Sequence, residues 1–237
     1  MSNFKNYLKR TFRAVAFVTL ASMLPAAAET VEVTPGVQVT KRTYSAPVNE
    51  QPFFGFSDKN LEQKAEDEKF VSAMIGATGS REKAFEEATK RAWIAIQAGK
   101  VREAALRFNQ AFLVSPEQSS VYHGFAVIAQ VRFSDLEAAD ELFKIALKQP
   151  NPVKALKADY GRLLLVAKRP RDAQVVLDEA VREAPDFSDA WTNLAWARFQ
   201  NGDPAAACAA AEEAAKKRPS NNSLSDLTAV RSVAQCK

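Results

Sequence analysis

Residues able to do chemistry are few in this sequence. There is one histidine, His123, and there are two cysteines, Cys208 and Cys236. One imidazole cannot assemble a zinc cluster, and the cysteines lack the CxxC spacing of a metal knuckle or redox pair. No HExxH, GxSxG, GxGxxG or Walker-type loop occurs. Gly76-Ala77-Thr78-Gly79-Ser80 has the look of a phosphate loop, but no strand precedes it and no lysine follows in place. The pairs Glu86-Glu87 and Glu212-Glu213 read as solvated helix faces. His123 reads as a surface or partner-contacting side chain rather than a general base. The expectation is a protein that binds, with no catalysis, no cofactor and no metal.

Charge narrows what it could bind. The formal net charge is +4 over 237 residues. Lys5, Lys9, Arg10 and Arg13 lie in residues 1–28, which hold no acid, so the remainder is balanced. A nucleic-acid binder needs a basic excess to release counterions from phosphate, and the balanced remainder argues against that class. Residues 1–28 also read as a secretory signal. Basic residues come first, then the apolar run Ala14–Leu24, then Pro25 and the small residues Ala26, Ala27 and Ala28. The apolar run is about 11 residues, short of the roughly 20 that span a bilayer. A periplasmic protein with no stable membrane insertion after cleavage is expected; the alternative is an inner-membrane protein anchored by an uncleaved signal. In an exported chain two cysteines permit one disulfide; two free buried thiols are the alternative.

The elements that would present a binding surface are helical. Residues 29–58 carry Pro35, Pro47 and Pro52 and read as a flexible arm, with strand-like alternation at Thr30–Thr34 and Val37–Val39 but no sheet elsewhere to join. Residues 59–79 read as a capping helix with Leu61, Ala65, Phe70, Val71, Met74 and Ile75 mostly on one stripe. From residue 80 a repeat takes over. Pro116, Pro150, Pro185 and Pro219 are spaced 34, 35 and 34 apart, and Ala104, Ala138, Ala173 and Ala207 keep the same spacings. Two residue types in one register indicate a solenoid of small supersecondary units. Each unit reads as helix, turn, helix. The second helices have apolar stripes, such as Val101, Ala104, Ala105, Phe108, Ala111 and Phe112. Gly99, Ser134-Asp135, Lys168-Arg169-Pro170 and Asn201-Gly202-Asp203-Pro204 mark the turns. Four hairpins over residues 80–222 and a C-terminal capping helix over 223–237 complete the organisation.

This pattern resembles the tetratricopeptide repeat. Ser188 to Asn221 matches best, through Trp191, Leu194, Ala195, Gly202, Ala207, Ala214 and Pro219. The unit starting near Phe85 matches through Ala92, Gly99, Ala104, Phe108, Ala111 and Pro116. Lys154 to Phe187 matches through Tyr160, Gly161, Ala173, Leu177, Ala180 and Pro185. Ser119 to Pro152 is loosest: it keeps Tyr122, Phe125, Ala126, Ala138, Leu142 and Pro150 but lacks the turn glycine. The resemblance implies an all-α, right-handed superhelix in which small residues let helices approach and no unit is stable alone. Cys208 and Cys236 are proposed to pin the C-terminal cap to the alanine-rich last hairpin.

The resemblance also implies a concave groove lined by the first helices, where a protein or peptide partner binds. Carried over, its candidate residues are Trp93, Gln97, His123, Gln130, Arg162, Trp196, Phe199 and Gln200. Trp93 and Trp196 are the sharpest, since tryptophan is frequent in binding hot spots; each could instead be packing between units. A lysine–asparagine carboxylate clamp is not reproduced, which favours a peptide with apolar side chains. The expected function is a scaffold or adaptor in cell-envelope assembly or secretion. The alternative is a periplasmic chaperone-like binder of unfolded segments.

Overall fold

The computed structural model describes residues 29–219 and 221–237. The segment read as a signal, residues 1–28, lies outside them. Among the described residues ten helices follow a short hairpin: α1 (Leu61–Thr78), α2 (Arg81–Gln97), α3 (Val101–Val114), α4 (Ser119–Phe133), α5 (Leu136–Ala146), α6 (Ala155–Val166), α7 (Pro170–Glu183), α8 (Ser188–Gln200), α9 (Pro204–Ala215) and α10 (Asn221–Val233). Successive helices from α2 to α9 pair as four antiparallel hairpins, and each hairpin stacks on the next in a right-handed α-α superhelix.

The repeated alanines and prolines have distinct jobs. Ala104, Ala138, Ala173 and Ala207 are buried at the heart of their hairpins. Gly124 and Gly161 are tighter still. A Cβ on Gly124 would lie 2.2 Å from the Phe108 ring, and one on Gly161 would lie 2.4 Å from Leu177. Helix ends are closed by a serine in the second and fourth units. Ser119 Oγ donates to Ala146 O at 2.8 Å, and Ser188 Oγ donates to Ala214 O at 3.0 Å, so the start of a first helix ties down the end of its second helix. Those carbonyls would otherwise be among the orphan acceptors every helix leaves at its C-terminus.

The turns between paired helices all need a left-handed residue. Gly99 and Gly202 supply it at φ 70° and 85°. In the two middle units Ser134 and Lys168 occupy the same step at φ 55° and 61°. A side chain with a Cβ is strained there, and glycine is not.

The arm expected to be flexible is instead docked. β1 (Thr30–Thr34) pairs antiparallel with β2 (Val37–Thr40), and two 3₁₀ turns, Val48–Glu50 and Pro52–Phe56, follow. No sheet was needed because the hairpin rests on helices. Val39 and Phe53 are buried, and Phe53 meets Phe125 at 4.7 Å and Phe112 at 5.4 Å between ring centroids. Tyr44 stacks on Phe133 at 3.9 Å. Asn109, buried on α3, donates to Asn49 O and Gln51 O at 2.9 and 2.7 Å and accepts from Phe54 N at 3.2 Å. The arm thus gains enough apolar contact and enough hydrogen-bond partners to offset the entropy of ordering it.

The two end helices differ from expectation in detail. α1 buries no residue; Phe70, Val71, Met74 and Ile75 are half-buried against the array, and Leu61 is 85% exposed. In α10 only part of the expected stripe faces inward: Leu227 and Val230 are buried, while Leu224 and Val233 are about half exposed. Cys208 on α9 is disulfide-bonded to Cys236, just beyond α10. In the chain-entropy account, closing a loop of this 28-residue separation removes roughly 3–4 kcal/mol of freedom from the unfolded chain.

Candidate functional site

Three of the eight groove residues meet in one hollow. Arg162 on α6 and Trp196 and Gln200 on α8 line it, together with Leu165, Val166, Lys168 and Asn193. The hollow exists because α6 and α8 lie side by side as first helices of neighbouring units, so residues one turn apart on each face the same space. Trp196 is half-buried and Gln200 exposed. Val166 is 49% exposed, a large apolar side chain left facing water beside the indole. Phe199 packs its ring edge-on to Trp196, with centroids 6.2 Å apart, and holds the indole from the side. The floor is fixed by Asn193, which is buried and donates from Nδ2 to Ala158 O at 3.0 Å, tying α8 to α6.

The far wall comes from the cap. Asp226 on α10 also lines the hollow and accepts a hydrogen bond from Arg162 Nη1, forming an ion pair across 64 residues of chain. Reading the repeat alone misses Asp226, because it lies beyond the last proline of the register. The signal available was its place in a helix that continues the alternation of first and second helices.

Trp93 belongs to the packing between the first two units more than to an open groove. Its ring meets Phe108 at 5.1 Å and His123 at 4.7 Å between centroids, and it is half-buried. Gln97 is exposed and Gln130 half-buried, and neither lines the hollow around Trp196.

His123 is not a surface residue. It is 1% exposed, wedged between Trp93 and Phe143, and its Nε2 lies 2.8 Å from Asp159 Oδ2 on α6. The first-helix position that would face a ligand sits here where units one, two and three converge, so the ring is covered. Nδ1 is buried with no hydrogen-bond partner among the described residues. The arrangement couples α4 to α6 through a polar contact inside an aromatic pocket.

Among the described residues no group of three or more His, Cys, Asp or Glu side chains is placed to hold a metal ion. Among them, too, no helix is long and apolar enough to cross a membrane.

Stacked helical hairpins of this length, closed by small residues at fixed spacing, define an α-α superhelical repeat protein. Residues 159–222 match the tetratricopeptide repeat family. Solved structures agree on the fold. Pseudomonas aeruginosa pilF superposes with a TM-score of 0.55 at 22% identity, covering 65% of this chain and 71% of that one. PilW, described as a widely conserved type IV pilus biogenesis factor, gives 0.51 at 17% identity, covering 75% and 89%. A thermophilic repeat protein of Thermus thermophilus, TTC0263, gives 0.52 at 16% identity, covering 71% and 98%. At these identities the likeness speaks for the fold alone. No curated protein matches the chain in sequence.

Proposed function

We propose that this protein is a non-catalytic scaffold of the bacterial periplasm that binds a partner polypeptide in the groove between α6, α8 and α10. The observation that carries the reading is the pairing of an incompletely buried Trp196 with the exposed Arg162 in one hollow. An aromatic anchor beside a planar cation is the composition of a binding hot spot. The indole and Val166 suit an apolar side chain of an extended or helical peptide. Arg162 suits a carboxylate on the same peptide, in exchange for Asp226.

Export rests on the basic, apolar and small-residue segments at the start of the sequence. A role in envelope assembly is supported by the fold shared with pilF and with PilW, the latter described as a pilus biogenesis factor. That support is by analogy of fold, since one repeat architecture hosts many functions.

A photo-crosslinking residue at Gln200 tests the proposal in the producing cells. The expected result is one discrete adduct, absent when the same residue is placed at Val175, which is 64% exposed on α7. A smear of many adducts would favour the chaperone-like alternative. No adduct from Gln200, or the same adduct from Val175, would remove the groove.

A further inference from the structure

The last helix is held on the array by few contacts, and one of them can be broken chemically. α10 buries little apolar surface: Leu227 and Val230 within the helix and Ala234 just after it. It packs on α8 and on α9, and eight of the twelve α9 residues are alanine, which offer small side chains to pack against. Near its start, Ser223 Oγ lies 3.2 Å from Thr192 Oγ1 on α8. At the groove, Asp226 is paired with Arg162. Beyond the helix, Cys236 is bonded to Cys208 on α9. This disulfide is not sealed in the core. Both cysteines are half-buried and line an open hollow with Pro204, Arg231 and Lys237. The bond thus borders a hollow open to solvent, from which an incoming thiol would approach it for exchange.

We propose that α10 is a redox-releasable latch over the Arg162–Trp196 groove. The reductant is a dithiol, either a small molecule or a protein with a thiol pair. One thiolate attacks a sulfur of the Cys208–Cys236 bond and forms a mixed disulfide with it, expelling the other cysteine as a thiolate that takes up a proton. The second thiol of the reductant then attacks the mixed disulfide and closes its own disulfide. Two electrons and two protons pass to the protein, which keeps two free thiols. With the tether cut, α10 keeps its thin apolar contact, the Ser223–Thr192 hydroxyl pair and the exposed Arg162–Asp226 ion pair, and loses its only covalent cross-link to the array among the described residues. Helices with few buried contacts open locally at low free energy. Release of α10 withdraws Asp226 and frees Arg162. That consequence rests on the groove reading above; the release itself does not.

Hydrogen exchange of the full-length protein, oxidised and after dithiothreitol, tests the latch. The Cys208→Ser/Cys236→Ser double variant serves as a mimic that needs no reductant. Amides of residues 223–233 should exchange at least tenfold faster in the reduced protein and in the variant, with residues 81–200 unchanged. Unchanged protection of 223–233, once mass spectrometry shows both thiols free, overturns the latch. So does loss of protection in α8 to the same extent as in α10, which would make the bond a brace for the whole last unit. Neither result depends on whether a partner binds the groove.

Discussion

Glu50 in the N-terminal arm accepts hydrogen bonds from Arg102 on α3, with Nη2 2.8 Å from Oε1 and Nε 3.1 Å from each carboxylate oxygen. Arg132 on α4 donates to the same carboxylate. The arm is thereby fastened across two units of the array. The Arg102 hydrogen bond holds the Glu50 carboxyl below the usual glutamate range, with the Arg132 charge adding to it. A depressed folded-state value means the fastening is fully present above the ordinary glutamate value and is lost as pH falls through the depressed one. Protection of amides 48–56, taken relative to the intrinsic exchange rate at each pH, should therefore be high at pH 7 and fall in that acid window. Glu50→Gln should show the lowered protection already at pH 7, with α4 to α9 unaffected.

Phe53 anchors the same arm from the apolar side. It is 6% exposed and sits among Phe112, Tyr122 and Phe125. Phe53→Ala should cost about 3–5 kcal/mol in urea unfolding, the range for large aromatic truncation in a core. A loss below about 1 kcal/mol would mean that the arm contributes little to the folded array.

The left-handed turns offer a stabilising change. Ser134 holds φ 55° on the surface, where the first and last units have glycine. Ser134→Gly removes the Cβ strain and gives back some unfolded-chain entropy, so the net gain should be about 0.5–1 kcal/mol. Thermal unfolding checks the sign. Gly99→Ala should move stability in the opposite direction by a similar amount.

His123 separates a core role from a binding role. With its ring buried against Trp93 and Phe143 and its Nε2 on Asp159, His123→Ala should destabilise by about 2–4 kcal/mol through cavity formation and a lost polar contact. Affinity of the surviving folded fraction for a groove ligand should stay within twofold of the parent, as read by titration calorimetry.

The repeat was legible because its constraints are local. Ala104 and its counterparts must be small where two helices touch, and Pro116 and its counterparts must stop a helix, so both types recur in register. The arm was not legible because its partners are distributed. Phe53 is satisfied by α3 and α4, and Thr40 N donates to Glu141 on α5, 101 positions away. No window of sequence contains both halves of such a contact. His123 was misplaced for a related reason. Helical register says which way a side chain points, but whether a neighbouring unit covers it depends on stacking geometry. Trp93 and Trp196 stand three units apart in equivalent registers, yet the first packs against His123 and the second lines an open hollow.

The most direct measurement selects peptides from a random displayed library on the full-length oxidised protein and determines their affinities for three variants. Trp196→Ala and Arg162→Ala should each weaken the selected peptides at least tenfold, and Val175→Ala on the outer face should leave them unchanged. Equal affinity for all three variants would place the binding surface elsewhere and contradict the account.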